Sequence, residues 1–343
     1  MSLFARAFSR QIEMVTLGVY VYDRTSDPLS LGWLGLVQAV PMILFALAGG
    51  HLADRFSRKS IMLITFAAQT GITLGLIFTV VGKVPLVWMY AFLAAESFCQ
   101  ALGTPARAAI VPQLVPPRDF SNAVMWNSSI FQLATMTGPA VGGLLLGEAK
   151  STVNALAVVL ACRAVMTLST LLLHPRSIPE SETATQNDDF WAGLSFLWRR
   201  KTILAAISLD MFAVLMGGVT YLLPVFAEDI LHVGATGLGF LRSAEAVGAV
   251  FMAMLLAHSP PMRRAGRNML LAVVGFGVAT IVFGLSRSFV LSLAMMFLIG
   301  AFDNISVVVR HTLVQSLTPD SMRGRVSAVN TIFIVVSNDL GGL

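Results

Sequence analysis

Long apolar runs separated by short polar breaks dominate the chain. Runs such as residues 61–81 are predominantly apolar and lack the strict polar-apolar alternation of a membrane barrel strand. A hydrocarbon core about 30 Å thick needs about 20 apolar residues per helical span. The pattern therefore predicts an all-α membrane protein. The predicted spans are residues 1–22, 30–52, 61–82, 86–106, 122–146, 152–173, 202–226, 235–257, 268–286, 289–310 and 326–343.

The composition agrees with a bilayer environment. Of the 343 residues, 56% are apolar and 12% are charged, whereas a soluble domain carries charge on about a quarter of its residues. No cleavable signal peptide stands apart from the first span, so this span is expected to stay in the membrane. Cys99 and Cys162 lie inside predicted spans, and the five histidines are scattered. Neither a disulfide framework, a metal site nor a cofactor is expected.

Cations are concentrated in the loops that follow even-numbered spans. The positive-inside rule then places these loops and the N-terminus in the cytoplasm. Because the cations are spread over several loops, they do not form the single basic face of a nucleic-acid-binding protein. The cations in question are Arg55, Arg58, Lys59, Arg107, Arg118, Arg176, Arg199, Arg200, Lys201, Arg263, Arg264, Arg267, Arg310, Arg323 and Arg325.

One long polar segment, residues 174–201, divides the chain. Its Pro, Ser, Thr and Asp content is typical of a flexible connector. It ends in an aromatic and aliphatic stretch followed by three cations, which fits either an amphipathic helix on the inner leaflet or an extension of the next span. The predicted domains are an N-terminal six-helix bundle (1–173), this linker (174–201) and an incomplete C-terminal bundle (202–343).

The two halves resemble each other. An offset of 203 residues places Arg107 on Arg310 and Pro116 on Pro319. A parallel repeat of six spans is the arrangement of carriers that bind their substrate between two bundles. The last span aligns with the fifth, and no counterpart of the sixth follows, so we expect the sequence to lack about one helix.

The loop after the second span carries the sequence GHLADRFSRK. It resembles the G-x-L-A-D-R-x-G-R-K pattern of the major facilitator superfamily, with Ser57 where glycine is usual and slight strain in the turn expected. The resemblance implies two six-helix bundles with pseudo-two-fold symmetry. It also implies that Asp54 faces the helix start near Gly324 and helps to close the inner gate; the cations could instead serve only as membrane anchors. The expected gating residues are Gly50, Asp54, Arg55, Arg58 and Lys59.

A second motif lies in the fifth span. Gly138, Pro139, Gly142 and Gly143 are similar to the later part of a helix-packing pattern found in exporters and antiporters of this superfamily. Residues 104–116 and 323–330 resemble the branch that contains bacterial siderophore exporters of the enterobactin type and macrolide exporters. The resemblance implies export.

Ionisable residues inside spans are costly and therefore mark candidate sites. Helical spacing places Glu96, Gln100 and Arg107 on one face of the fourth span, and Asp303, Ser306 and Arg310 on one face of the tenth. The resemblance implies that spans 1, 4, 7 and 10 line the cavity. Proton-coupling candidates are Glu96, Asp303, Asp210 and Glu13. Substrate-cavity candidates are Gln100, Arg107, Ser306, Arg310, Tyr20 and Tyr221.

Two alternatives stay open for these charges: a carboxylate in a dehydrated cavity can carry a proton, or it can be half of a structural ion pair, above all at Asp303 and Asp210. No phosphate-binding loop for ATP occurs. We therefore expect a monomeric secondary transporter, not an enzyme, that exports a small, moderately apolar molecule of the drug or siderophore class by alternating access with proton antiport. The alternatives are a proton-coupled importer, a lipid mover or a non-transporting scaffold or sensor.

Overall fold

The computed structural model describes residues 2–116, 119–149, 151–173, 190–216, 219–258, 265–318 and 326. Every regular element within these ranges is helical, as the sequence predicts. The helices are α1 (Ser2–Thr25), α2 (Pro28–Arg55), α3 (Arg58–Val81), α4 (Leu86–Leu114), α5 (Phe120–Ala149), α6 (Thr152–Leu171), α7 (Phe190–Arg199), α8 (Lys201–Met216), α9 (Leu223–Val225), α10 (Gly234–Ala257), α11 (Ala265–Leu285) and α12 (Phe289–Leu317). The predicted last span lies outside the described residues, apart from Val326.

Nine of the described helical segments are long and apolar enough to cross a membrane. They begin in α2 and include all the later predicted spans up to α12. Helix α1 carries more charge, yet its 24 residues extend about 36 Å and can also cross a bilayer. Large apolar side chains such as Phe78 and Leu285 are 69% and 79% exposed, as expected for side chains that contact lipid.

Side-chain caps define two of the sharp turns between helices. The Asp27 carboxylate accepts a hydrogen bond from the Leu29 N–H, and Pro28 occupies the first helical position of α2, where its missing N–H needs no partner. Ser57 caps α3 by accepting from the Ser60 N–H. The φ angle of Ser57 is −54°, which any residue adopts. The serine that replaces the usual glycine therefore brings a cap and no backbone strain.

The described residues form two compact units. The first comprises the described parts of 1–179 and 221–243, and the second those of 180–220 and 244–342. In the first unit α1 packs on α5 and α6, α3 packs on α4 and α6, and α2 packs on α4. An apolar cluster around Leu31, Leu76 and Leu156 fills the interior. The boundaries predicted for the bundles and linker stay a prediction.

The second unit is built on contacts of α8 with α7, α11 and α12, and of α11 with α12. Its apolar cluster includes Leu197, Ile207 and Val314. Helix α7 coincides with the predicted amphipathic segment: Leu197 is buried and Trp198 is exposed. Its position on the inner leaflet stays a prediction.

The predicted span 202–226 is interrupted. Helix α8 ends at Met216, a 3-10 turn follows at Val219–Tyr221, and α9 leads into a π-helical turn at Phe226–Ile230. Pro224 lies in the first turn of α9, where a missing N–H is tolerated. The interruption brings the segment after Tyr221 into the first unit, beside α1.

Candidate functional site

Two buried carboxylates share one arginine in the first unit. Arg163 Nη2 on α6 donates to Glu13 Oε2 on α1 at 2.5 Å and to Glu96 Oε1 on α4. The other guanidinium nitrogen, Nη1, donates to Thr73 Oγ1 at 2.6 Å and to the Gln69 carbonyl at 3.2 Å on α3. Glu13, Glu96 and Arg163 are 4%, 3% and 3% exposed. The guanidinium therefore joins four helices at a buried site, where charge interactions are strong.

A second arginine lies at the edge of this cluster. Arg10 Nη1 lies 4.0 Å from Glu96 Oε1, and its side chain is 31% exposed. Its guanidinium donates to Gln100 Oε1 at 2.9 Å and to Gln38 Oε1 at 3.1 Å. Two arginines and two carboxylates thus balance in charge when both carboxylates are ionised.

Each carboxylate keeps one oxygen without a partner. Glu13 Oε1 and Glu96 Oε2 are buried and accept no hydrogen bond from the part of the chain that the structure describes. A buried oxygen without a donor is costly. A proton on one of these oxygens would remove a buried negative charge, so Glu13 and Glu96 stay the candidates for a proton site.

A cleft adjoins the cluster. Arg10, Glu13, Gln38 and Arg242 form its polar wall, and Tyr221 also borders it. The apolar lining is formed by Met14, Leu17, Leu31, Leu34, Leu93 and Pro224. Such a mixed lining suits a ligand with an apolar body and a small polar group.

The other predicted cavity residues of this unit have different surroundings. Gln100 orients Arg10. Arg107 donates to Thr104 Oγ1 at 2.6 Å, and its guanidinium carbon lies 6.0 Å from the centre of the Phe66 ring. The Tyr20 hydroxyl accepts from Arg24 at 3.2 Å, and Tyr20 is not among the residues that line the cavity.

A second charged cluster lies in the second unit. Arg310 on α12 forms a buried ion pair with Asp210 on α8, and the Ser306 hydroxyl donates to Asp210 Oδ1 at 2.6 Å. Asp303 lies about two helical turns before Arg310 on the same face of α12, and it does not pair with Arg310. It lines a small cleft together with Asp210, Ser306 and Phe276, and among the described residues no hydrogen bond to its carboxylate is found.

The gating motif lies at the junction of α2 and α3. Gly50 is in the last two turns of α2, Arg55 is its last residue, and Arg58 begins α3. Lys59 Nζ donates to the Leu171 carbonyl at 2.9 Å and so satisfies the C-terminal end of α6. The side chain of Asp54, and Gly324, lie outside what the structure describes.

The glycine motif of α5 lies where two helices approach its backbone. A Cβ atom on Gly138 would lie 2.6 Å from Gln11 Cβ, and one on Gly142 would lie 3.3 Å from Ile12 Cα on α1. At the contact between α5 and α10, a Cβ atom on Gly143 would lie 2.9 Å from Gly239 Cα. A Cβ atom on Gly239 would lie 2.5 Å from the Pro139 carbonyl oxygen. These positions accept only glycine without a shift of the helices.

Sequence reasoning did not assign Arg163. Its partners lie 150 and 67 positions away, and no local spacing connects them. The available signal was a single cation inside the sixth span, together with two carboxylates in other spans that also needed a counter-charge. Sequence reasoning also missed Asp229, which accepts a hydrogen bond from the Tyr22 hydroxyl and links α1 to the π-helical turn.

Sequence comparisons agree with this architecture. The family model described as Major Facilitator Superfamily matches residues 1–341. The enterobactin exporter EntS of Escherichia coli O1:K1 / APEC is 27% identical over 346 residues, which cover 97% of this chain and 82% of that protein. The enterobactin exporter EntS of Shigella boydii serotype 18 gives the same values.

Solved structures share the fold. A bacterial homolog of the human lysosomal transporter Spinster, inward-facing and unoccupied, aligns with a TM-score of 0.71 at 18% identity over 100% of this chain and 79% of its own. The nucleoside transporter NupG aligns at 0.73 and 16% identity over 99% and 86%. A D-xylose-proton symporter aligns at 0.72 and 13% identity over 99% and 87%.

Proposed function

The chain belongs to the major facilitator superfamily, and from this premise we propose that it is a proton-driven exporter of a small, moderately apolar molecule. It is a multi-pass membrane transporter. We place it in a bacterial inner membrane as a monomer with its N-terminus in the cytoplasm, where the cationic loops would lie.

The observation that carries the proposal is the Glu13–Arg163–Glu96 cluster. With both carboxylates ionised, one guanidinium holds α1, α4 and α6 together through charged hydrogen bonds. A proton on Glu96 would remove its negative charge and with it the Coulomb attraction to the Arg163 guanidinium, which is strong in a buried site. Protonation would therefore loosen the connection between these helices.

This loosening gives a mechanism for coupling. In an antiport cycle, Glu96 would be deprotonated while substrate leaves and would regain a proton for the return step. Arg163 is then a positioning residue, because it favours the ionised cluster and aligns the helices that must move. Because Glu13 also binds Arg163, Arg10 provides Glu96 with a second nearby cation.

The direction and the kind of substrate have separate support. Export is supported by the likeness to enterobactin exporters over most of the chain. A moderately apolar substrate is supported by the aliphatic part of the lining of the cleft beside Glu13. Asp303 is proposed as a second proton site, because it faces a cavity without a hydrogen-bond partner among the described residues, whereas Asp210 is engaged by Arg310 and Ser306.

Everted membrane vesicles test this function. Respiration acidifies the vesicle lumen. An exported compound added outside should enter the lumen in exchange for protons, and a fluorescent pH probe should report the rise in luminal pH. Cells that express the chain should also accumulate less of the same compound than cells that carry the Glu13→Gln/Glu96→Gln variant. Greater accumulation with proton entry would indicate an importer. Binding of the compound without any flux would indicate a scaffold or sensor.

A further inference from the structure

The guanidinium of Arg163 is bonded on two sides to different kinds of acceptor. Nη2 donates to the carboxylates of Glu13 and Glu96. Nη1 donates to Thr73 Oγ1 at 2.6 Å and to the Gln69 carbonyl at 3.2 Å, and both of these groups lie on α3. A proton can remove the charge of a carboxylate, whereas a threonine hydroxyl and a backbone carbonyl stay neutral. The α3 side is therefore the part of this hydrogen-bond set that does not change with pH.

The Thr73 hydroxyl has one orientation. Its hydrogen is donated to the Gln69 carbonyl, four residues earlier on α3, at 2.9 Å. A hydroxyl carries a single hydrogen, so the oxygen of Thr73 acts only as an acceptor toward Arg163. Thr73 is 0% exposed, and β-branched side chains are stiff at χ1. Thr73 therefore presents a fixed acceptor to the guanidinium.

The packing of α3 on α6 does not depend on this contact alone. Phe66 on α3 and Met166 on α6 belong to one apolar cluster. The hydroxyl oxygens of Thr70 and Thr167 lie 3.2 Å apart between the same two helices. The interface therefore has contacts of its own, and the distinct effect of the Thr73 hydroxyl is on the guanidinium.

Charged and titratable groups approach Arg163 from α1 and α4. Glu13 and Glu96 are its partners there. Arg10 lies 4.0 Å from Glu96, and Cys99 lies about one turn after Glu96 on α4. The two acceptors on α3 are neutral. A displacement of the guanidinium would therefore act chiefly on the two carboxylates.

We propose that Thr73 is a positioning residue of the proton site. Its hydroxyl holds Nη1 of Arg163 and thereby keeps Nη2 directed at the two carboxylates, because a guanidinium is planar and rigid. Without the hydroxyl, the cation is free to turn away, and the ionised carboxylates lose part of their stabilisation. The pair then takes up a proton at higher pH. This inference rests on the proposed function, in which Glu13 and Glu96 carry the proton.

Infrared difference spectroscopy follows the proton directly and needs no substrate. A protonated carboxyl has a C=O stretching band that a carboxylate lacks, so spectra of the purified chain in nanodiscs would be recorded over a series of pH values. The part of the titrating signal that is missing from the Glu13→Gln/Glu96→Gln variant belongs to this pair. The pH midpoint of that part in the wild type is the reference.

Substitutions on α3 test the hydroxyl. Thr73→Val keeps the shape of the side chain and removes the acceptor, and it should raise the midpoint by about half a pH unit or more. Thr73→Ser keeps the hydroxyl and should titrate like the wild type. If Thr73→Val folds poorly, Thr73→Cys gives the same test with a smaller shift, because sulfur is a weak acceptor.

Thr79→Val is the matched control. Thr79 is also buried on α3, and its hydroxyl donates to the Leu76 carbonyl at 2.7 Å. Loss of this hydroxyl should leave the midpoint unchanged, even if Tm falls as much as in Thr73→Val. A midpoint that does not move in Thr73→Val and Thr73→Cys, or that moves equally in Thr79→Val, would overturn the proposal. A titrating signal that the double glutamine variant retains in full would overturn it too, since the pair would then take up no proton.

The result can be separated from that for transport, since the titration is measured without any gradient. A midpoint that moves in Thr73→Val, combined with no pH-driven flux in the wild type, would contradict only the proposed function. Export that is driven by a pH gradient and lost in Glu96→Gln, combined with an unmoved midpoint in Thr73→Val, would contradict only the role of Thr73.

Discussion

Glu13 on α1 and Glu96 on α4 accept hydrogen bonds from the same guanidinium nitrogen, Arg163 Nη2. Their distance along the chain is large, and only the packing of α1 and α6 against each other and of both α4 and α6 against α3 brings them together. Two acids that share one cation cannot respond to a proton independently. The three side chains should therefore behave as one unit when any of them is changed.

Arg163→Gln should strongly destabilise the protein. It leaves two buried carboxylates without the cation that they share, and removal of one partner from a buried pair costs about 3–5 kcal/mol. Thermal unfolding of the purified chain in detergent should show a clear drop in Tm.

The double variant Glu13→Gln/Arg163→Gln should recover part of that loss, because Glu96 then pairs with Arg10 alone. Arg200→Gln, at an exposed position, serves as the control and should unfold like the wild type. A double variant no more stable than Arg163→Gln would contradict the shared-charge interpretation.

The two acids near α12 should differ in their effects. Asp210→Asn leaves Arg310 buried without its counter-charge and should cost about 3–5 kcal/mol, seen as lower abundance and Tm. Asp303→Asn removes a carboxylate that has no hydrogen-bond partner among the described residues and should leave stability within about 0.5 kcal/mol. If Asp303→Asn proved the more destabilising change, the assignment of Asp210 as the structural partner of Arg310 would be wrong.

Gly138→Ala should push α5 away from α1. The new methyl group would meet Gln11 Cβ at 2.6 Å and the Phe8 carbonyl oxygen at 3.3 Å, and such overpacking costs about 1–3 kcal/mol. Gly71→Ala on α3 is the matched control, because no atom lies within 4 Å of its Cβ position. It should be neutral or stabilising by up to about 1 kcal/mol through helix propensity. Equal Tm values for the two variants would argue against close packing at Gly138.

Asp54→Asn tests the gating motif. If the charge of Asp54 docks against a neighbouring helix terminus in one conformation, its loss should slow transport while insertion and abundance stay near normal. Transport rates per molecule, corrected for abundance by immunoblot, provide the measurement. Full transport at equal abundance would reduce the motif to a set of membrane anchors.

The helices could be read from the sequence because apolar runs of membrane length have few other possible structures. Most predicted spans agree with the helices to within a few residues. The exceptions have physical causes. Helices α4 and α12 continue to Leu114 and Leu317, beyond the predicted ends, because a helix does not stop where polar residues begin. Span 202–226 was predicted as continuous, and its interruption near Pro224 was missed.

The site could be read only in part. Glu13, Glu96, Asp210 and Asp303 stood out because a charge in a span is costly. Their partners could not be deduced, since pairs such as Asp210 with Arg310 depend on how whole helices pack. The spacing on α12 placed Asp303 and Arg310 on one face, yet Arg310 pairs with Asp210 instead.

Uphill export by the Glu96→Gln variant tests the account most directly. Wild-type protein, Glu96→Gln, Glu13→Gln and the control Asp27→Asn, whose new side chain can still cap α2, would be reconstituted in liposomes. Export driven by a pH gradient and downhill exchange would then be measured for a compound that the wild type transports. The account predicts that Glu96→Gln loses uphill export, keeps downhill exchange and still binds the compound, while Asp27→Asn behaves like the wild type. Wild-type uphill export by both Glu96→Gln and Glu13→Gln would contradict it.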